Sequence, residues 1–378
     1  MPFGSEGLEA GIAIALSGGG FRATLFHLGS LWRLNEVGLL PQLQRISSVS
    51  GGSIAAGYLG KIWNSLEFRD GICTNFADRF VEPVRAFCRL DIDVPAIGGG
   101  VLSPFERASE ILQKSYSKHL FGDFTLQDLP DRPVFIFNST NLKTGRDFRL
   151  SKPYAGDYRI GLLPKPQFTL SLAVAASSAF PPFLSPVVID NPGEFVKVEG
   201  ADLSGPDYTR TLTLTDGGVY DNLALETVWK RYTTLLVSDA GTPFDYGGGR
   251  RSDWLNQSLR ALEIATDQAR GLRKRVLIDA FKHPDQNGRQ GAYWGIDTAI
   301  SDYELPDAMP CQDEIVAGLS GIRTRLNRFN DEEQGRLINW GYAVCDAALR
   351  KRAPQLLPAN VGRPKQWPFP AQLLGKLD

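Results

Sequence analysis

The chain has 378 residues, of which 43% are apolar and 22% charged, and its net charge is −1. That is enough apolar sequence for one large α/β domain with a sizeable core, and it excludes an overall basic field for nucleic acid. Four cysteines without a Cys-x-x-Cys pair, and the scattered histidines His27, His119 and His283, exclude the usual zinc and redox spacings, so no metal or cofactor is expected.

The cysteines (Cys73, Cys88, Cys311, Cys345) read as free thiols of a reducing compartment. The N-terminus lacks a basic segment followed by an apolar run, and no stretch of about 18 apolar residues occurs. The expectation is a cytoplasmic protein without signal peptide or transmembrane helix.

In chain order, residues 12–16 read as a buried strand that ends in the glycine loop Ser17-Gly18-Gly19-Gly20. Residues 21–37 follow as a helix, because Phe26, Leu28, Leu31, Leu34 and Val37 recur at near-helical spacing and Gly38 supplies a stop. Residues 43–49 form the next strand, which gives a β-α-β unit with parallel strands. Ser50-Gly51-Gly52 then leads into small and apolar residues suited to a helix. Ser48-Val49-Ser50-Gly51-Gly52 is the outline of a nucleophile elbow, a serine on a tight strand-to-helix turn.

Two readings of the first loop stay open. Gly18-Gly19-Gly20-Phe21-Arg22-Ala23 fits the Gly-x-Gly-x-x-Gly/Ala fingerprint of dinucleotide sites. That chemistry also calls for a carboxylate roughly 20 residues on, at the end of the second strand. Ser47-Ser48-Val49-Ser50 stands there, and Glu36 falls inside the helix. The other reading is an oxyanion hole, since N–H groups at a helix N-terminus are free donors with partial positive charge.

Phe80, Val81, Val84 and Phe87, with Arg79, Arg85 and Arg89, form an amphipathic segment broken at Pro95 and Gly98-Gly99-Gly100. It is either a core-facing helix or, over 79–102, a lid or membrane-facing flap. Residues 105–120 read as a helix and 134–138 as a strand. The polar turn Asn138 to Arg146 leads to a strand over 147–150. Residues 171–179 are a close-packed Ala/Ser helix ended by Pro181-Pro182, and an apolar loop follows.

The strand over 211–215 ends in Asp216-Gly217-Gly218, with a helix over about 223–231. The strand over 235–237 ends in Ser238-Asp239. Residues 243–252 read as a mobile loop, 254–275 as a long helix, 276–281 as a late strand, and 313–352 as helical. Strands and helices alternate, which predicts a three-layer α/β/α fold with a largely parallel central sheet. Residues 1–352 are expected as a single domain, with a motif core at 12–241 and a helical part at 313–352, followed by a Pro-rich tail at 353–378. Sites in such sheets lie at the carboxyl ends of strands. Gly18 to Gly20, Ser50 and Asp216 each fall at such an end.

These motifs, in this order, resemble those of the patatin-like phospholipases. Gly18-Gly19-Gly20-Phe21-Arg22 matches the family's Gly-Gly-Gly-x-Arg loop, Ser48 to Gly52 its Gly-x-Ser-x-Gly elbow, and Asp216-Gly217-Gly218 its Asp-Gly-Gly/Ala motif. Ala176-Ser177-Ser178-Ala179-Phe180-Pro181 matches its Ala-Ser-Ser-Ala-x-Pro block, and Asn138 to Arg146 its Asn-x-Thr-x-Leu-x-Thr-Gly segment. Two departures are Ser48 for the elbow's first glycine and Ala23 for a further glycine after the arginine.

The resemblance implies a Ser50–Asp216 catalytic dyad without histidine, an oxyanion hole at Gly18, Gly19 and Gly20, and Arg22 as support of the loop. The scatter of the three histidines agrees with this. Asp239 is the rival base, and Asp221 with Asn222 reads as a helix start. The implied activity is hydrolysis of carboxyl esters of glycerophospholipids, phospholipase A-type or lysophospholipase, through an acyl-serine. Apolar segments near 80–102 and 180–189 are expected to line an acyl pocket. Expected partners are a phospholipid or other lipid ester and a membrane touched peripherally, with no nucleic acid. Acyl transfer, a nucleotide- or anion-binding module, and a latent hydrolase awaiting an activator remain alternatives.

Overall fold

The computed structural model describes residues 7–92, 108–181, 184, 186–244, 253–359 and 361–376. Its strands are β1 (Glu9–Leu16), β2 (Leu43–Ser48), the small hairpin β3 (Phe68–Arg69) and β4 (Ile72–Cys73), β5 (Val134–Asn141), β6 (Arg146–Ser151), β7 (Tyr154–Asp157), β8 (Gly161–Pro164), β9 (Val187–Asp190), β10 (Thr211–Asp216), β11 (Tyr232–Asp239) and β12 (Gln290–Gly295). Its helices are α1 (Gly20–Glu36), α2 (Gly51–Ile62), α3 (Glu82–Phe87), α4 (Ala108–Tyr116), α5 (Leu170–Ser178), α6 (Pro206–Thr209), α7 (Gly218–Asp221), α8 (Glu226–Trp229), α9 (Trp254–Lys282), α10 (Pro284–Asn287), α11 (Asp313–Ser320) and α12 (Asp331–Arg352).

All strands except the hairpin join one ten-stranded sheet. Its centre, β12-β11-β1-β2-β5, is parallel as expected from the β-α-β pattern. From β5 outward, β6, β7 and β8 continue as an antiparallel meander. The period-2 alternation of β1 divides the core between the two faces. Ile14 and Leu16 join the large cluster with α1, α2 and α12, whereas Ala13 and Ala15 join a smaller one with Val228 and Leu277. Helix α1 is buried on nearly all sides, and its buried polar residues Arg22, His27, Arg33 and Asn35 each have hydrogen-bond or ion-pair partners. α12 covers it, and a buried Arg33–Asp346 ion pair at 2.7 Å ties the two.

The most consequential feature is the second edge of β5. β6 occupies one edge of β5 from Ile136 to Asn141. The other edge is shared: β2 runs parallel to β5 and ends with Ser48 opposite Phe137. β10 runs antiparallel to β5 and ends with Asp216 opposite Ser139. The two strands therefore meet head to head along β5, with only Asn138 between their carboxyl ends. This register brings Ser50 and Asp216, far apart in sequence, to one point.

Several expectations change. Residues 276–281 are not a strand: α9 runs on to Lys282, because Leu277 and Ala280, three residues apart, are its buried contacts and hold a helical period. The last strand is instead Gln290–Gly295, whose flanking glycines hide the pattern. Of the helix expected over 223–231 only α8, Glu226–Trp229, is helical, because Ala224 with φ 54° breaks the run before it. Of the 79–102 segment, Phe80, Val81, Val84 and Phe87 are all buried, so its described part is core-facing. The rest of it, and the expected loop from 245 to 252, lie outside the described residues.

Candidate active site

Ser50 sits between β2 and α2 with φ 53° and ψ −121°. A non-glycine residue there stores backbone strain of about 1–3 kcal/mol, which surrounding contacts must hold. The Val49 N–H donates to the Leu16 carbonyl at 3.1 Å, which registers the elbow against the end of β1. Helix α2 begins at Gly51, where a Cβ would lie 2.0 Å from the Gly20 carbonyl oxygen. Only glycine permits that contact, and it seats the glycine loop over the elbow. The Thr24 hydroxyl closes it, lying 3.2 Å from the Gly20 and 2.8 Å from the Gly51 carbonyl oxygen.

The loop's own glycines divide into two roles. A Cβ at Gly18 would meet Asn222 Oδ1 at 2.4 Å and Ser50 Cβ at 3.1 Å, so Gly18 is glycine for closeness. Its N–H donates to the Asn222 carbonyl at 3.1 Å. Gly18, expected among the oxyanion donors, is thus already used, and this corrects that assignment. Among the described residues nothing accepts the Gly19 and Gly20 N–H groups. These sit at the start of α1, where the helix dipole adds positive potential.

Arg22 is buried and braces the loop from behind. It donates to the carbonyls of Ser320 (2.7 Å), Ile322 (2.8 Å) and Ala240 (2.7 Å), and to the Thr242 hydroxyl (3.0 Å). Burial, then repulsion from Arg270, brings its guanidinium down to about 10, which leaves it cationic at neutral pH. Arg22→Leu would orphan three carbonyls, at a cost on the order of 3 kcal/mol. The expected result is a fall of several degrees in Tm, with kcat reduced more than KM is raised, checked by thermal denaturation and ester kinetics.

Asp216 closes β10 and is 2% exposed. Its Oδ1 accepts the Gly218 N–H at 2.6 Å, and the Ser50 hydroxyl is near enough to act on the carboxylate as a donor that lowers its pKa. Burial raises its pKa to about 7, against the lowering effect of those two donors. A strand-end carboxylate with raised pKa beside a strained serine hydroxyl has the chemistry to take a proton from that hydroxyl.

The competing groups are otherwise engaged. Asp239 accepts Gly241 N–H (2.9 Å), Tyr293 hydroxyl (2.8 Å) and Arg270 Nε (2.9 Å). Burial alone would raise its pKa, but Arg270 and these donors hold it below the usual value. Asp221 accepts the N–H groups of Leu223 and Glu226 and serves the start of α8. His27 is fully buried, with Nε2 2.9 Å from the Ser17 carbonyl and Nδ1 2.8 Å from the Ser238 hydroxyl. A carbonyl only accepts, so Nε2 carries the proton. Burial holds the ring down at about 4 and hence neutral. His119 and His283 are exposed.

Two residues near Ser50 and Asp216 have no chemical reading in the sequence. Asn138 donates to Ser47 Oγ and the Ser48 carbonyl, both at 2.9 Å. Ser177 touches the backbone of both strand ends. Both fall in segments that match family motifs, but nothing local marks them as neighbours of Ser50. Of the segments expected to line an acyl pocket, Phe80 is buried and Phe180 is 39% exposed just after the Ala179 carbonyl that holds Asp216. Pro182, Phe183, Ser185 and residues 93–107 lie outside the described residues.

The model of the patatin-like phospholipase family matches residues 14–229, more than half of the chain. The chain belongs to the patatin-like phospholipase family. The match contains the glycine loop, the elbow and Asp216. No curated protein matches the chain. Among solved structures, human GIVD cytosolic phospholipase A2 in complex with methyl gamma-linolenyl fluorophosphonate is 14% identical, covers 92% of this chain and 59% of its own, and gives a TM-score of 0.50. The same human protein alone is 13% identical with a TM-score of 0.49, covering 91% of this chain and 61% of its own. VipD from Legionella pneumophila is 14% identical with a TM-score of 0.37, covering 92% and 67%. At 14% identity the likeness to the human complex is one of fold. The chain spans about three fifths of the human structure's length.

Proposed function

We propose that the protein is a lipid acyl hydrolase that cleaves carboxyl esters of glycerophospholipids, as a phospholipase A or lysophospholipase, through a Ser50–Asp216 dyad. The observation that carries this reading is the head-to-head register of β2 and β10 along β5, which sets Ser50 beside the buried Asp216 carboxylate, itself raised to about 7 by burial. Ser50 Oγ attacks the ester carbonyl while Asp216 takes its proton. The N–H groups of Gly19 and Gly20 receive the developing oxyanion. Asp216 then returns the proton to the leaving alcohol, and the acyl chain stays on Ser50. Water, deprotonated by Asp216, releases the fatty acid and restores the serine.

A buried carboxylate in place of histidine suits this task because burial moves its basicity close to neutral pH. The anion-binding reading of the glycine loop fares worse, since it would set a ligand's negative charge beside Asp216. Among the described residues no helix is long and apolar enough to cross a membrane. The enzyme is proposed to meet lipid from the aqueous, cytoplasmic side, peripherally at a membrane.

Phospholipid vesicles incubated with the protein are expected to yield free fatty acid and lysophospholipid, or glycerophosphodiester from a lyso substrate, detected by mass spectrometry. Ser50-dependent turnover of simple esters with no release from either lipid would overturn the substrate assignment and leave the dyad standing.

A further inference from the structure

The C-terminal turn of α5 holds both halves of the site. The Ser50 N–H donates to the Ser177 carbonyl at 3.2 Å and lies 3.1 Å from Ser177 Oγ. The Gly217 N–H donates to the same carbonyl at 3.3 Å, and the Asp216 N–H to the Ala179 carbonyl at 3.1 Å. Ser177 Oγ in turn donates to the Asn138 carbonyl at 2.7 Å, the one residue of β5 between the two strand ends. It also lies 2.9 Å from the Ser53 hydroxyl. Ser53 reaches Ser48 Oγ at 3.0 Å, and Ser48 donates to the Ile136 carbonyl at 3.2 Å. Ser48, Ser53 and Ser177 are all buried. The residue that departs from the elbow pattern, Ser48, thus belongs to a cluster of three hydroxyls at the elbow.

We infer that Ser177 is a positioning residue for the dyad, fixing the strained Ser50 backbone against Gly217 and Asn138 across the junction of β2 and β10. This rests on the dyad reading above. β2 and β10 abut end to end and share no ladder, so the gap between them is spanned by other groups. Ser177 spans it with one carbonyl that accepts from both sides and one hydroxyl that anchors to β5. Removing the hydroxyl leaves Ser50 N–H on the carbonyl alone and takes the donor from Asn138. Ser50 is then free to relax its backbone, which carries its hydroxyl away from Asp216.

The test compares Ser177→Ala with Ser178→Ala, whose wild-type hydroxyl only turns back onto the Val174 carbonyl of its own helix at 2.7 Å. With a soluble aryl ester, Ser177→Ala is expected to lose on the order of 10- to 100-fold in kcat at nearly constant KM, the scale of a small misplacement of reacting groups. Ser178→Ala is expected to match wild type. The acid limb of the Ser177→Ala pH–rate profile should also move to higher pH, because the Ser50 hydroxyl bond is one of the interactions that lower the Asp216 pKa. A merely structural loss would leave that limb in place. If Ser177→Ala does not fold, Ser53→Ala decides, with a smaller change expected in the same direction. Unchanged kcat and acid limb, in a protein whose turnover depends on Ser50, would overturn this inference alone. Absence of Ser50-dependent turnover in wild type would overturn the dyad reading and this inference together.

Discussion

Asp216→Asn is expected to lose on the order of 10⁴-fold in kcat/KM, the scale seen when a catalytic aspartate becomes an amide, and to become more stable at pH 8. Asparagine keeps the shape and can still accept the Gly218 N–H through its amide oxygen, so the elbow stays assembled. It cannot take the Ser50 proton. The stability gain follows from the same burial that makes the base. An ordinary aspartate has a pKa of 3.8, and Asp216 is raised to about 7 by desolvation. Between these values the folded state holds a proton that the unfolded chain has lost. Stability from this group is therefore fully present below 3.8 and is lost as pH rises through about 7. A shift of about three pH units corresponds to about 4 kcal/mol. The variant should gain over wild type from pH 4 to pH 8, measured as the difference in unfolding free energy. Asp147, raised to about 6 by burial, acts with the same sign but in both proteins, so it drops out of the difference. A variant equally stable relative to wild type at both pH values would show that Asp216 is not a desolvated base. In wild type, kcat/KM should climb with pH through about 7, because only the carboxylate form accepts the proton.

Ser50→Ala is expected to lose on the order of 10⁵-fold in ester turnover, with residual rate from the oxyanion donors and binding alone. Alanine keeps the backbone N–H that Ser177 holds, so the fold should persist with a similar Tm. Removing the hydroxyl also removes one interaction that lowers the Asp216 pKa. The Asp216 carboxyl should therefore titrate at higher pH in this variant than in wild type, which carbon-13 NMR of the carboxyl resonance would read. Turnover near wild-type levels would mean that another hydroxyl is the nucleophile. Ser47, Ser48 and Ser53 are the nearest in sequence, but all three are buried and hydrogen-bonded elsewhere.

The catalytic candidates are legible in the sequence because their marks are local. Gly18 to Gly20, Ser50 and Asp216 each stand where a short β-prone run stops at glycines, and such a stop creates free N–H groups and an exposed turn. The parallel centre of the sheet is legible for a similar reason, through the β1-α1-β2 pattern. What brings the residues together is not local. Nothing in residues 43–48 or 211–216 says that the two strands lie end to end along one edge of β5. Ser177 and Asn138 owe their place to that register, so the sequence displays them only as parts of a packed helix and a strand. The Gly18 donor is lost for the same kind of reason, through an Asn222 carbonyl some two hundred residues away. The end of α9 is misread because Val276, Ile278 and Phe281 favour strands by type, whereas the burial of Leu277 and Ala280 follows the helical period.

The most direct test of the Ser50–Asp216 site is reaction with a serine-directed fluorophosphonate, read by intact mass and peptide mapping in wild type and in Ser50→Ala. The expected result is a single adduct on Ser50, formed faster as pH rises through about 7, and none on the variant. An adduct that survives Ser50→Ala, or folded wild-type protein that takes up no reagent, would contradict it.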